Sequence, residues 1–228
     1  MNHTHYELTS ETLELSFCTF HRIRATQDLP QHNVKKGELG GWIGENAKLS
    51  DNAWIADEAL VYGHASISEN ACISEHAEVG DHAYVYGNAT VGGYAIVWGE
   101  AKVCDNATIA GEARIYGEAR VSDNAKVYGS ADISYRAQVY QNATVKDNAQ
   151  LYGYAQVYGD AIVRSDAEVS DSASVLGNAE VFDSAAVYGQ AIVYESARVC
   201  GTAHVAGRAQ VRGNDVVASG TFKNTVEP

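Results

Sequence analysis

The chain has 228 residues, with 16 basic and 29 acidic side chains and a formal charge of −13. This length suffices for one large domain or two small ones, and 46% apolar residues favour a globular protein. The negative charge argues against a nucleic-acid polymer or a membrane surface as partner, because both require a dense basic surface. No window approaches the ~20 apolar residues of a membrane span, and residues 1–10 lack the order of a signal peptide. We therefore expect a cytoplasmic protein.

Residues 1–40 contain no repeat. An alternating apolar segment (Leu13, Leu15 and Phe17, then Phe20 and Ile23) is typical of strands. The end of a strand array exposes an open edge and an apolar cross-section that something must cover. We predict that residues 1–40 form a small N-terminal β cap.

Residues 41–218 follow a six-residue period. Every sixth residue from Ile43 to Val217 is Val, Ile or Leu, at 30 positions, and the residue two before it is Ala at 28 consecutive positions from 47 to 209. Residues two apart in a strand point to the same side, so both side chains are predicted to point inward. Gly, Asp or Glu dominate the fifth position of the unit, which predicts a corner with glycine where the backbone needs a positive φ.

The sixth position of the unit repeats every 18 residues, so three hexapeptides make one coil. One column consists almost entirely of asparagine, and we expect its amides to form a ladder: Asn52, Asn70, Asn88, Asn106, Asn124, Asn142, Asp160, Asn178, Ser196 and Asn214. The predicted fold is all-β, a single-stranded parallel β-helix of about ten coils with three sides. Ala beside each aliphatic residue predicts a narrow interior closed to ligands, and residues 219–228 are predicted to be a C-terminal tail.

The pattern resembles the hexapeptide-repeat, left-handed β-helix superfamily, and the left hand is implied by that resemblance alone. Residues 20–25 (Phe-His-Arg-Ile-Arg-Ala) and 35–43 (Lys-Lys-Gly-Glu-Leu-Gly-Gly-Trp-Ile), followed by the repeat, are similar to the YdcK-like group, whose members are often labelled acyltransferases. The resemblance covers most of the chain and implies more about fold than about chemistry.

The resemblance implies that catalytic acyltransferases of this type carry a histidine and a loop projecting from the prism. The register here is unbroken, which leaves no place for such a loop, so we expect a protein that is not an enzyme and uses no cofactor. The weak catalytic candidates are His64, His82 and Glu100, which are 18 residues apart and are expected to stack at one corner. They have the chemistry to share a proton or a metal ion, but solvated corner side chains are the alternative, and no metal site is predicted.

Charge placement separates corners from faces. Of the 29 acids, 18 fall at corner positions and four at outward strand positions, which also hold nine bases. The coil spanning 113–130 carries a base on each side, and arginine beside tyrosine suits a phosphate-bearing aromatic ligand. The candidate ligand-binding residues are Lys102, Arg114, Tyr116, Arg120, Lys126 and Tyr128. The alternative is that these residues merely decorate the sheet faces.

Outward aromatic residues form two columns, Tyr62, Trp98, Tyr116, Tyr152 and Tyr188 in one, and Tyr86, Tyr140, Tyr158 and Tyr194 with Leu176 in the other. Such columns favour self-association, and we expect a homo-oligomer, most simply a trimer with ligand-sized grooves between prisms.

Three functional hypotheses follow from the sequence. The first is a non-catalytic protein that sequesters a small anionic ligand, such as a nucleotide signal, in the manner of viral sponge proteins that counter host defence. The second is a hexapeptide-repeat acyltransferase. The third is a structural or protein-binding rod.

Overall fold

A computed structural model describes residues 5–223, whose strands form three sheets, one on each side of a prism. We call these sides faces 1, 2 and 3 in chain order. Face 1 is a 13-stranded sheet with the strands Tyr6–Leu15, Cys18–Ala25, Leu39–Gly44, Leu60–Val61, Glu78–Val79, Ile96–Val97, Arg114–Ile115, Asp132–Ile133, Gln150–Leu151, Glu168–Val169, Ala186–Val187, His204–Ala206 and Thr221–Lys223.

Faces 2 and 3 are 10-stranded sheets whose short strands are all parallel. Face 2 has Lys48–Leu49, Ser66–Ile67, Tyr84–Val85, Lys102–Val103, Arg120–Val121, Gln138–Val139, Gln156–Val157, Ser174–Val175, Ile192–Val193 and Gln210–Val211. Face 3 has Trp54–Ile55, Cys72–Ile73, Thr90–Val91, Thr108–Ile109, Lys126–Val127, Thr144–Val145, Ile162–Val163, Glu180–Val181, Arg198–Val199 and Val216–Val217.

Neighbouring strands of a face are 18 residues apart. Tyr84 lies opposite Lys102, which in turn lies opposite Arg120. The predicted all-β prism of about ten coils, three hexapeptides to a coil, is confirmed. A single 3-10 turn, Pro30–His32, interrupts the strands. Within residues 5–223, no helix has the length and apolar character to cross a bilayer.

The interior is filled by the repeat itself. Each inward alanine from Ala53 to Ala209, and each inward aliphatic residue from Ile55 to Val205, has no exposed surface. Close packing of these small and branched side chains accounts for the core of the prism. Side chains able to meet a ligand therefore lie on its outer surface.

The fifth residue of each unit has a left-handed backbone conformation whether or not it is glycine. Every fifth-position residue from Asp51 to Gly213 has a positive φ, 58° at Asp123 and 72° at Gly129, for example. At Asp123 a hydrogen bond offsets the strain of the positive φ, because its Oδ2 accepts the backbone N–H of Gln141 one coil further on at 2.9 Å. The same bond is formed by the carboxylates of Asp51, Asp57, Glu75, Asp81, Asp105, Asp147, Asp171, Asp183 and Glu195. The prediction that glycine provides the positive φ is thus incomplete.

The predicted asparagine ladder forms over most of its length. The Nδ2 of Asn52 donates to the Oδ1 of Asn70 at 3.2 Å, and the series continues to Asp160 with distances of 3.0 to 3.2 Å. Within residues 5–223, the later members Asn178, Ser196 and Asn214 make no such bond. The ladder ties successive coils together along one corner.

The cap joins the prism through a tightly packed strand. Strand Leu39–Gly44 is the first strand of face 1 with a parallel neighbour, Leu60–Val61, and on its other side it pairs antiparallel with Cys18–Ala25 of the cap. A Cβ on Gly40 would lie 2.5 Å from the carbonyl oxygen of Ile55, and one on Gly41 would lie equally close to the Ile55 side chain. This close approach therefore requires glycine at both positions of the pair in the segment at residues 35–43. The expected boundary between residues 40 and 41 falls inside this strand.

A cluster of polar side chains fastens the cap to the first coil. Arg22 Nη1 donates to Glu58 Oε1 at 2.8 Å, Trp42 Nε1 donates to Glu58 Oε2 at 2.9 Å, and the guanidinium lies 4.9 Å from the Trp42 ring centre. The hydrogen bond from Trp42 and then that from Arg22 lower the pKa of Glu58. Arg22, from the segment at residues 20–25, and Trp42, from the segment at residues 35–43, thus have a structural role.

Two cap histidines cover carbonyl groups of the first coil. His5 Nε2 lies 2.7 Å from the carbonyl oxygen of Ala53, and His32 Nε2 lies 2.8 Å from that of Asn52. No coil precedes these carbonyls. The His5 imidazole therefore replaces the backbone N–H that a preceding coil supplies elsewhere, as Trp54 does for Ala71, whereas His32 bonds a corner carbonyl of a kind that no such N–H reaches.

The other end of the prism gains one more strand. Thr221–Lys223 pairs with His204–Ala206 and sets Phe222 opposite Val205. Part of the expected tail therefore extends face 1, while residues 224–228 lie outside the described residues.

Candidate ligand-binding site

The six predicted ligand-binding residues are divided among the three faces. Arg114 and Tyr116 lie on face 1, Lys102 and Arg120 lie on face 2, and Lys126 and Tyr128 lie on face 3. The hexapeptide period sends consecutive units to different faces, so a single chain brings together only pairs of these residues.

On face 1, large and small residues alternate in the column that follows each core aliphatic residue. The ring of Tyr62 lies over Gly80, where a Cβ would come within 2.6 Å of the ring. Ser134 and Ser170, which follow Tyr116 and Tyr152 by one coil, are only 3% and 4% exposed. Most of the aromatic column is thus explained by rings that lie flat on the next coil.

Each of three tyrosine rings in this column ends at a carboxylate. Tyr62 donates to Glu78 at 3.5 Å and Tyr116 donates to Asp132 at 3.2 Å, while Tyr152 hydrogen-bonds Glu168. Burial is the main cause that raises the pKa of Tyr62 to about 12, and the carboxylate of Glu78 adds to it. These hydrogen bonds fix the direction in which the rings lean.

The alternation of large and small residues fails once in this column. The coil after Trp98 has Tyr116 at the equivalent position rather than a small residue. The Trp98 side chain lies close to the Tyr62 hydroxyl, and Tyr116 donates to Asp132 in the next coil. The two rings line a hollow of ≈ 340 Å³ together with Ile96 and Arg114. Both rings stay exposed, at 39% for Trp98 and 38% for Tyr116.

A second hollow of ≈ 330 Å³ adjoins the first across Ile96 and Arg114, and its far wall is Tyr94 with Glu112. Tyr94 is stacked on His76 with ring centres 4.9 Å apart. We call the two hollows together the face 1 groove. Three aromatic side chains thus surround a surface with Arg114 near its centre.

Arg114 has its guanidinium free. Within residues 5–223 its side chain takes part in no hydrogen bond, ion pair or ring contact. By contrast, Arg164 and Arg198 on face 3 lie 4.2 and 4.9 Å from the Phe182 ring centre, and both reach Glu180 within 3.7 Å. An unpaired guanidinium beside aromatic walls is equipped to bind a phosphate or carboxylate.

The charged residues are distributed unequally among the faces, which the sequence analysis missed. At the outward strand positions of the hexapeptide units, which leave out the cap strands, face 1 has three acids (Glu78, Asp132, Glu168) and one arginine, Arg114. Face 2 has four bases (Lys48, Lys102, Arg120, Arg212) and no acid, and face 3 has Lys126, Lys146, Arg164 and Arg198 with Glu180. Sorting the outward residues by a period of 18, as was done for the corners, would have found this pattern.

The weak catalytic candidates lie at a corner away from the groove. The rings of His64 and His82 stack with centres 5.0 Å apart, as their spacing predicts, and Glu100 follows one coil later. Within residues 5–223, no three His, Cys, Asp or Glu side chains converge as metal ligands. The four cysteines, Cys18, Cys72, Cys104 and Cys200, are free thiols.

Comparison with protein-family models matches residues 113–129 to the YdcK Beta solenoid repeat. A search of curated proteins finds no match. The matched segment includes Arg114 and Tyr116, but the description of the family names a repeat and no activity. The matched residues form nearly one coil, and the other coils repeat its geometry without insertion. The chain is therefore a β-solenoid, one coil of which matches the YdcK repeat.

Proposed function

We propose that this protein is a non-catalytic binding protein that sequesters a small anionic ligand with a planar ring in the face 1 groove. The observation that carries the proposal is the unpaired guanidinium of Arg114 between Trp98 and Tyr116. A nucleotide fits this chemistry, since a guanidinium binds phosphate through paired hydrogen bonds and aromatic rings stack on a base.

The rigidity of the prism favours such a role. Tyr116 is held by its hydrogen bond to Asp132, and both rings directly follow core residues with no exposed surface, Val97 and Ile115, so little conformational entropy is lost when a ligand enters between them. We place the protein in the cytoplasm, where it would act as a sponge for a nucleotide signal. The acyltransferase hypothesis depends on His64 and His82, which lie outside the groove.

Calorimetric titration of the purified chain with adenosine and guanosine 5′-monophosphates tests this proposal. Arg114→Gln is expected to weaken binding roughly tenfold to hundredfold, the value of a charge-assisted hydrogen-bonded pair. Trp98→Ala is expected to weaken it to a similar degree through lost stacking. Lys48→Gln is the control, since it removes a base at the equivalent strand position of face 2, in the first coil.

Unaltered nucleotide affinity in Arg114→Gln would remove the site, and absence of binding to the wild-type chain, together with no small molecule released on denaturation, would remove the function. Release of free thiol from acetyl-CoA that stops in His64→Ala would instead favour the acyltransferase hypothesis.

A further inference from the structure

The sheets of the prism end in strands of very different length. Within residues 5–223 the three sheets have six ends, and five of these are strands of only two or three residues. Very short edge strands are one way in which proteins avoid pairing with other chains. The sixth end is the cap strand Tyr6–Leu15, which has ten residues and pairs with Cys18–Ala25 on one side only. We call its unpaired side the cap edge.

The cap covers the first strand of face 3 but leaves its own outer strand open. Trp54 of face 3 is 2% exposed, and His5 contacts the carbonyl oxygen of the preceding residue, Ala53. In the cap strand, by contrast, seven of the ten residues are exposed and none is buried. The cap edge is therefore the one long sheet edge in the described part of the chain that is free to accept a further strand.

The side chains of the cap edge alternate in character over its regular part. A bulge interrupts the middle of the strand, and regular pairing with the next strand resumes over Thr12–Leu15. Successive side chains of a strand point to opposite sides, so Leu13 and Leu15 form an apolar side and Thr12 and Glu14 a polar side. A strand added here requires the same alternation, with apolar residues beside the leucines and polar residues beside Glu14.

The charge of the cap edge determines the sign of those polar residues. Strand Tyr6–Leu15 contains Glu7, Glu11 and Glu14 and no basic residue. Glu7 lies 3.8 Å from Arg24, whereas the carboxylates of Glu11 and Glu14 form no ion pair or hydrogen bond within residues 5–223. A second copy of the strand would bring three more acids in any register. Basic residues complement this edge, and its own copies do not.

A hollow of ≈ 450 Å³ beside the turn of the cap hairpin has the same sign of charge. Its charged lining residues are Glu45 and Asp81, and no base of the described residues lines it. Phe17 and Tyr62 form aromatic walls with ring centres 5.2 Å apart, and Phe17 is 61% exposed. Carboxylates beside aromatic rings suit the guanidinium or ammonium group of a basic side chain.

We infer that the cap edge binds an extended segment of a partner protein, in which basic residues alternate with aliphatic ones, as a further strand of face 1. Backbone hydrogen bonds to Thr12–Leu15 provide affinity, and the alternating side chains provide specificity. The aliphatic residues lie beside Leu13 and Leu15, the basic residues lie beside Glu14, and one basic residue enters the hollow at Phe17. The face 1 groove takes no part, so this inference is independent of the proposed function.

Fluorescence polarisation with a labelled peptide of alternating lysine and valine tests the contact on the full chain. Saturable binding below about 1 mM is expected. The matched control peptide is methylated on the backbone nitrogens of its central lysine and valine. Consecutive N–H groups of a strand point to opposite edges, so one of the two methyl groups faces the protein in either orientation. The methylated peptide is expected to bind at least about tenfold more weakly.

Charge reversal of the cap edge tests its specificity. Glu11→Lys with Glu14→Lys is expected to weaken binding of the lysine–valine peptide about tenfold or more. The same variant is expected to bind a glutamate–valine peptide that the wild-type chain rejects, which also shows that the variant is folded. Asp166→Lys with Asp215→Lys is the control, because it changes the net charge equally in coils far from the cap, and it should leave both affinities unchanged.

Three results with the peptides would each overturn the inference: no saturable binding to the wild-type chain, equal binding of the methylated peptide, or unchanged affinities in the Glu11 and Glu14 variant. A wild-type dimer that protects the amides of Thr12–Leu15 from hydrogen exchange would assign the cap edge to a second copy and overturn it as well. None of these measurements involves a nucleotide, so failure of the proposed function leaves this inference unaffected.

Discussion

At the scale of single residues, the corner carboxylates show that acidic side chains can serve the fold rather than a partner. Asp123 occupies a left-handed corner with φ of 58° and accepts the N–H of Gln141 at 2.9 Å. The backbone N–H of a fifth-position residue such as Gln141 makes no backbone hydrogen bond to another coil, so the carboxylate one coil earlier serves as its acceptor. Much of the negative charge of the chain is thereby assigned to the corners.

This role predicts the order of stability among variants of Asp123. Asp123→Ala loses the acceptor and keeps the left-handed strain, and should destabilise the protein by about 1–2 kcal/mol. Asp123→Gly loses the acceptor but relieves the strain, so it should be less destabilising, and Asp123→Asn keeps both acceptor and tolerance of this conformation and should stay within about 0.5 kcal/mol of wild type. Urea unfolding measures the order, and an alanine variant as stable as the asparagine variant would contradict this role.

At the scale of elements, the cap depends on two imidazoles that donate to the first coil. Burial lowers the pKa of His5 and of His32 below the ordinary value of 6.5. The carbonyl contact opposes this shift at both, the Asp51 carboxylate opposes it at His5, and the neighbouring His5 adds to it at His32. Both groups favour the neutral form in the folded cap.

The sign of the resulting pH dependence follows by linkage. Between pH 6.5 and the lowered folded values, the unfolded cap binds protons that the folded cap does not. Cap stability is therefore complete above pH 6.5 and is lost as the pH falls through 6.5. Hydrogen exchange of strand Cys18–Ala25 should accelerate over this range in wild type and much less in a variant with His5→Gln and His32→Gln. His64→Gln is the control, and an unchanged pH dependence in the double variant would contradict this account.

The elements were predictable to different degrees. The sheets and the asparagine ladder depend only on position along the chain. They follow from the period of six, from the three units in each coil and from the 18-residue spacing of residues such as Asn52 and Asn70. The direction in which an aromatic ring leans does not depend on position along the chain alone. The hollow at Trp98 lies between that ring and Tyr116, which is held by its hydrogen bond to Asp132, and periodicity carries no information on the direction in which a ring leans.

At the scale of the whole molecule, the position of a residue within the 18-residue period decides on which face of the prism its side chain lies. A residue 18 positions later lies on the same face, so substitutions at that spacing build up a face of one charge while the interior stays unchanged. The six predicted site residues were chosen from nearby sequence positions, and Lys126 and Tyr128 consequently fell on a face remote from Arg114.

The most direct test of the central claim uses the three tryptophans. Only Trp98 lines the groove, whereas Trp54 is 2% exposed and the indole of Trp42 is bound to Glu58. In a ¹⁵N-labelled sample titrated with adenosine 5′-monophosphate, the account predicts that the indole resonance of Trp98 shifts until saturation while those of Trp42 and Trp54 stay in place. Nucleotide that binds by calorimetry and leaves the Trp98 resonance unmoved would contradict it.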